Sequence, residues 1–192
     1  MSGSSPAPTI SPEALKQALE AQIFPQEEGL NTYAVLDGAS IPDLLDHLYG
    51  DVRPDFACLY RGELEPDMAE VAPYLVLLTP GQPFTDWLLT EGLGKHWGIF
   101  AISPADLQAT QKHFRTFLVV KDPEGNQIYF RYYDPRVFRV YLPTCKEEEL
   151  EVLFGPLTGY MCEGENPGLL MSLSRESGRL KTKLINLKSD GN

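Results

Sequence analysis

Thr32-Tyr-Ala-Val-Leu-Asp-Gly38, followed by Ile41-Pro-Asp-Leu-Leu-Asp-His-Leu-Tyr49, is the stretch from which the architecture can be worked out. Its first half is a β-rich apolar run closed by a turn former. Its second half places apolar residues at helical spacing, so the pair reads as a strand leading into a short amphipathic helix. The same alternation recurs downstream. Phe56 to Tyr60 reads as a strand, Pro66 to Glu70 as a short helix, Tyr74 to Leu78 as a strand and Pro83 to Thr90 as a helix. A third cycle has Trp97 to Ile102 as a strand and Ser103 to Phe114 as a helix, with Ser103 as N-cap, Pro104 at the first helical position and Asp106 at the third. Strands alternating with helices place the chain in the α/β class, as a mixed sheet with flanking helices.

The pattern changes after that. Thr116 to Lys121 and Gln127 to Tyr133 are strand-like runs joined by Asp122-Pro-Glu-Gly-Asn126, a hairpin expected to close the sheet. Asp134-Pro135 is a second cap-plus-proline signal, opening a helix to about Leu142. A further acidic helix is expected from Cys145 to Phe154, ended by Gly155-Pro156, so that the core finishes in a smaller, mostly helical C-terminal lobe. Upstream, Ser11 before Pro12 and Glu13 caps a helix stopped by Pro25, and Ala14, Leu15, Ala18, Leu19 and Ile23 give it one apolar face. The expected organisation is a flexible N-terminus over 1–10, a helix over 11–25, an α/β domain over 30–164 and a basic tail over 165–192, docked loosely or mobile until bound.

The charge distribution supports that division. Residues up to Gly164 carry 24 acidic and 11 basic side chains, whereas the rest carry 3 and 5. A net charge of -11 repels nucleic acid and anionic membrane surfaces, so neither is an expected partner. Cys58, Cys145 and Cys162 are odd in number and lack CxxC spacing, which fits a reducing compartment better than a disulfide framework. With no basic-then-apolar leader and no long apolar run, the expected location is the cytoplasm.

Candidate chemistry is sparse. Gly92-Leu-Gly94-Lys-His-Trp-Gly98 has GxGxxxG spacing after a helix, where a dinucleotide fingerprint needs GxGxxG between strand and helix, so it reads as a turn. His47, His96 and His113 are not spaced as metal ligands; His113 at a helix end suits the dipole. Cys58 sits in an apolar strand, and Cys145 and Cys162 have no base near in sequence. The acidic groups Glu63, Glu65, Asp67, Glu70 and Glu147 to Glu149 read as solvated faces. Asp122, Glu124 and Asn126 alternate like calcium ligands, but Gly125 is misplaced for an EF-hand and the hairpin turn accounts for them. No catalytic residue, cofactor or metal is expected.

Tyr129-Phe-Arg-Tyr-Tyr-Asp-Pro-Arg136 is different in kind. Strand alternation would put Tyr129, Arg131 and Tyr133 on one face and Phe130 and Tyr132 on the other. Arginine between tyrosines is the composition of a recognition surface or of a buried ion-paired element. Asp134 is expected to cap the next helix and to pair with Arg131 or Arg136. The candidate partner-binding residues are Tyr129, Arg131, Tyr133, Asp134 and Arg136.

Several phrases in fixed order carry a resemblance: Tyr33-Ala-Val-Leu-Asp-Gly-Ala39, Val71-Ala-Pro-Tyr-Leu75, Phe84-Thr-Asp-Trp-Leu88, Trp97-Gly-Ile99, Phe130-Arg-Tyr-Tyr-Asp-Pro-Arg136 and Leu153-Phe-Gly-Pro156. Over about Asn31 to Gly164 the chain resembles the effector chaperones, or adaptors, of bacterial type VI secretion, a family long described only as a domain of unknown function. The resemblance implies a cytoplasmic, non-enzymatic protein that holds a toxic effector and loads it onto the VgrG spike, with the effector and VgrG as its partners. It implies no catalytic residues. Two other readings suit a small acidic α/β chain: a hydrolase or transferase with carboxylates assembled from distant positions, and an immunity protein that neutralises a toxin.

Overall fold

The computed structural model describes residues 11–121 and 123–188. In chain order the elements are α1 (Pro12–Ile23), β1 (Asn31–Asp37), α2 (Leu44–Leu48), β2 (Phe56–Cys58), α3 (Pro66–Val71), β3 (Pro73–Leu78), α4 (Pro83–Glu91), β4 (Gly98–Ser103) and α5 (Leu107–Phe114). They continue with β5 (Val119–Lys121), β6 (Gln127–Tyr129), α6 (Pro135–Tyr141), α7 (Glu147–Phe154), β7 (Gly159–Glu163), β8 (Leu169–Glu176) and β9 (Arg179–Asn186).

Among the described residues, a seven-stranded sheet runs in the order β2-β3-β1-β4-β7-β8-β9, and helices cover both its faces. The α/β class with flanking helices is therefore what the chain adopts, with every pair in the sheet antiparallel. Strand β1 sits between β3 and β4 and is buried from Thr32 to Asp37. Burial on two faces is why its sequence is a continuous apolar run rather than an alternation. Tyr33 and Val35 point into a core with Phe114 of α5, Phe138 of α6 and Leu150 and Phe154 of α7. Ala34 and Leu36 point the other way, toward Leu19 and Ile23 of α1, Leu44 and Leu48 of α2 and Leu88 of α4.

Helix α1 belongs to this core. Ser11 Oγ accepts from Ala14 N at 3.2 Å, Pro12 opens the helix, and Thr32 Oγ1 donates to Ile23 O at 2.6 Å, tying its last turn to β1. Lys16 Nζ meets Asp86 of α4 at 2.8 Å.

Three sequence expectations change. The helix after β4 is capped by Asp106, whose Oδ1 accepts from Ala109 N at 2.8 Å, while Ser103 ends the strand with its hydroxyl on Ala105 N and Pro156 O. Asp106 wins because Ser103 is held in the ladder with Asn31. The hairpin β5–β6 does not close the main sheet but forms a separate two-stranded sheet.

The third change is the largest. Residues 165–188 are not a loosely docked tail: β8 and β9 extend the sheet that β7 joins, and Leu170, Leu173 and Leu187 are buried. Leu173 faces one core and Leu170 the other. Ser177 and Gly178, with φ of 50° and 78°, make the two-residue turn whose twist matches a hairpin. The helices expected before this segment are present as α6 and α7, but the chain ends in strands. The proposed flexible 1–10 segment and the last four residues of the tail lie outside the described residues.

Candidate functional site

The Tyr129–Arg136 segment leaves the strand early. The last backbone bond of the hairpin is from Phe130 N to Leu118 O at 2.9 Å, and Asp134 N donates to Arg131 O at 3.1 Å, closing a turn. That turn abolishes the expected alternation: Tyr132 and Tyr133 are neighbours yet both are buried. Tyr132 donates its hydroxyl to Phe114 O at 3.1 Å, in the core. Burial and the neighbouring Tyr60 and Asp37 push the Tyr133 phenol well up, so it stays protonated.

Three of the five candidate residues reach the surface. Tyr129 is 55% exposed and leans on the ring of Tyr60, centroids 4.8 Å apart. The Arg131 side chain is half exposed and ion-pairs with the buried carboxylate of Asp37 at the end of β1. Arg136 is exposed and clasps Asp134 through Nε at 3.0 Å and Nη2 at 2.8 Å. Asp134 itself is buried and accepts from Arg136 N at 2.9 Å, capping α6 as expected. Burial pushes its pKa up, but the bonds and charge of Arg136 outweigh that and hold it below the ordinary carboxylate value. Tyr133 and Asp134 therefore support this patch from beneath.

Asp37 was not among the candidates. Its Asp37-Gly38 dipeptide reads as a turn signal, and the feature that could have marked it is a carboxylate at the end of the apolar run Tyr33 to Leu36, which needs a cation. Ser40 Oγ donates to it at 2.8 Å. Taking a carboxylate out of water is costly unless a cation lies against it, and Arg131 supplies that cation.

Beside this pair, Tyr60, Leu64, Met68, Arg115, Val119 and Tyr129 line a cleft of about 200 Å³. Met68, Val119 and Tyr129 leave much of their apolar surface in solvent there, and Ile128 next to Tyr129 is also exposed. Arg115 forms the floor: its Nη2 donates to Cys58 O and Tyr60 O, and its Nε to Leu59 O, at 2.8–3.1 Å. Those bonds occupy carbonyls leading out of the edge strand β2 and hold the cleft wall in register with α5.

The glycine-rich turn before β4 does have an anion, and it is the protein's own. Gly94 N and His96 N donate to the Glu163 carboxylate at 2.9 and 3.3 Å, and His96 Nδ1 lies 2.9 Å from it. Glu163 is buried, and desolvation raises its pKa despite these donors. His47 stacks on Trp87 with centroids 3.7 Å apart. His113 is half-buried against the rings of Phe114 and Phe117, and burial lowers its pKa, which works against the charge expected to suit the helix dipole. Burial raises all three thiols, Cys162 to about 12, the opposite of an activated nucleophile. Among the described residues there is no cluster of His, Cys, Asp and Glu able to hold a metal, and no helix long and apolar enough to cross a membrane.

Comparison with known proteins adds one finding. A model of the domain of unknown function DUF4123 matches residues 32–151, more than half of the 192-residue chain. The chain belongs to the DUF4123 family. No curated protein and no solved structure is similar enough to count as a match. The DUF4123 segment contains Asp37, the cleft and the whole of Tyr129–Arg136, and stops within α7. Strands β7, β8 and β9, with the Glu163 carboxylate, lie beyond it.

Proposed function

We propose that this DUF4123 protein is a non-enzymatic cytoplasmic adaptor that holds a type VI secretion effector and presents it to the VgrG spike. The observation that carries the proposal is the exposed patch at Tyr129, with Ile128, Val119 and Met68 around it and Arg131 and Arg136 beside it. Tyrosine and arginine are the residues that dominate binding energy at protein interfaces, and an apolar cleft rimmed by them is a surface for another protein. The ordered phrases shared with the effector chaperones add support, because the most specific of them, Phe130 to Arg136, forms one side of this patch.

Two features suit a carrier. The cations of the patch are held in place by Asp37 and Asp134, so little conformational freedom is lost when a partner docks. The cleft is shallow enough for an amphipathic helix or loop of a cargo to lie across it.

Deleting the gene in the native host tests the proposal. The expected result is loss of one effector from the secreted fraction while the secretion machinery still fires. Unchanged secretion of every effector would overturn it.

A further inference from the structure

The two edges of the sheet are treated differently. At the β2 edge, the strand has three residues and Arg115 covers the carbonyls at and beyond its end. At the other edge, β9 runs for eight residues and pairs with β8 on one side, and among the described residues its segment Leu180 to Leu184 has no backbone partner on the other. In an antiparallel hairpin with a two-residue turn, Glu176 and Arg179 form a hydrogen-bonded pair, and the pairs alternate from there. The N–H and C=O groups of Leu180, Thr182 and Leu184 therefore point outward, at an open edge.

The side chains of this edge have a definite pattern. Arg179, Lys181 and Lys183 share one face, and Leu180, Thr182 and Leu184 the other, with Leu184 59% exposed. Lys181 has a surface ion pair with Glu176 at 2.7 Å, and among the described residues Arg179 and Lys183 have none. A strand added to β9 would place its own residues opposite Lys181 and Lys183 in the closely spaced, non-hydrogen-bonded positions, where cross-strand charge pairs interact best. A second copy of β9 would bring lysines against lysines, which is unfavourable, so self-association at this edge is disfavoured.

We propose that β9 is a docking edge for an extended acidic segment of another protein, which adds to the sheet as an eighth strand with carboxylates opposite Lys181 and Lys183 and an apolar residue against Leu184. The occupant follows from charge complementarity: this edge is the basic part of a chain whose net charge is -11. The edge lies across the sheet from the Tyr60–Tyr129 cleft, giving a second surface, and it stands whether or not the type VI reading is right.

The test uses the full chain and two labelled synthetic peptides, one alternating glutamate and valine and one alternating lysine and valine, titrated by fluorescence anisotropy. The glutamate peptide is expected to bind and the lysine peptide not. The double substitution Lys181→Glu with Lys183→Glu, on the exposed face, should weaken the glutamate peptide roughly tenfold and let the lysine peptide bind instead. Thr182→Pro removes an outward N–H without touching the β8 ladder and should abolish both. No binding by the folded wild-type protein would overturn the proposal. So would equal binding by wild type and Thr182→Pro, which would mean ion pairing without strand addition, or a dimer that Thr182→Pro dissociates, which would mean a second copy fills the edge.

Discussion

Asp37 and Arg131, separated by 94 residues, are brought together where β1 ends and the chain turns out of β6, with the carboxylate buried and the guanidinium half in solvent. The pair joins the central strand to the hairpin segment that carries the exposed tyrosine. Removing one partner leaves a charge with no compensation inside the protein. Arg131→Ala is expected to cost about 2 kcal/mol, reduced from the fully buried case by the solvent around the guanidinium. Asp37→Asn in the same chain should restore part of the loss. Urea denaturation of the single and double variants measures both, and an Arg131→Ala midpoint equal to wild type would show that the pair does not hold the segment.

Tyr129 should behave in the opposite way. Its ring is exposed and leans on Tyr60 at the rim of the core. Tyr129→Ala is expected to change stability by no more than about 0.5 kcal/mol. Partner capture should fall by about tenfold or more, as for an aromatic anchor at an interface. Denaturation and binding measured on the same preparation separate the two effects, and unaltered capture would remove Tyr129 from the surface.

Gly38, next to Asp37, is required for a different reason. A Cβ there would stand 2.4 Å from Ala72 O, a backbone atom that cannot move aside without shifting the α3–β3 junction. Gly38→Ala should destabilise by about 1–3 kcal/mol through overpacking. At Gly81 a Cβ would meet open space, and only its left-handed φ of 76° opposes a side chain. Gly81→Ala should cost about 1–2 kcal/mol, from that conformation alone. Thermal melts distinguish them best if Asp37→Asn is added: the cost at Gly38 should couple to Asp37 and the cost at Gly81 should not.

His113 gives a pH dependence with a definite sign. Burial lowers its folded-state pKa, outweighing the hydrogen bond between its Nε2 and Leu153 O at 3.0 Å. The folded protein favours the neutral ring, so this stabilisation is present above the unfolded value of about 6.5 and is lost as the pH falls below it. The raised pKa of Glu163 works in the other sense, with stability declining as the pH rises through its folded value. Comparing urea midpoints at about pH 7.5 and about pH 5.5 in wild type and His113→Gln isolates the histidine. The wild-type loss on acidification should be larger, and equal losses would contradict the assignment.

Much of the architecture was legible because local signals and tertiary needs agree. Asp134-Pro135 and Ser11-Pro12 cap helices as their sequences indicate, and the apolar run of β1 is buried on both faces. Residues 165–188 were misread because their basic, aromatic-free composition hides what the hydrogen-bond ladder uses. Leu170 and Leu173 serve opposite faces, and Ser177-Gly178 is a hairpin turn that only the positive φ angles make plain. The site was half legible. Residue type marked Tyr129, Arg131 and Arg136, but alternation failed at Tyr132 and Tyr133 because a turn replaces the strand. Asp37 could not be paired with Arg131 from spacing alone, since the contact depends on how β1 and the hairpin are stacked in the finished fold.

The central claim is tested most directly by retaining partners of the tagged, folded protein from the native host's lysate at moderate salt and identifying them by mass spectrometry. The account predicts that wild type recovers a VgrG together with one large effector, and that the equally folded Tyr129→Ala variant recovers much less of at least one of them. Recovery of neither by the folded wild-type protein would contradict it.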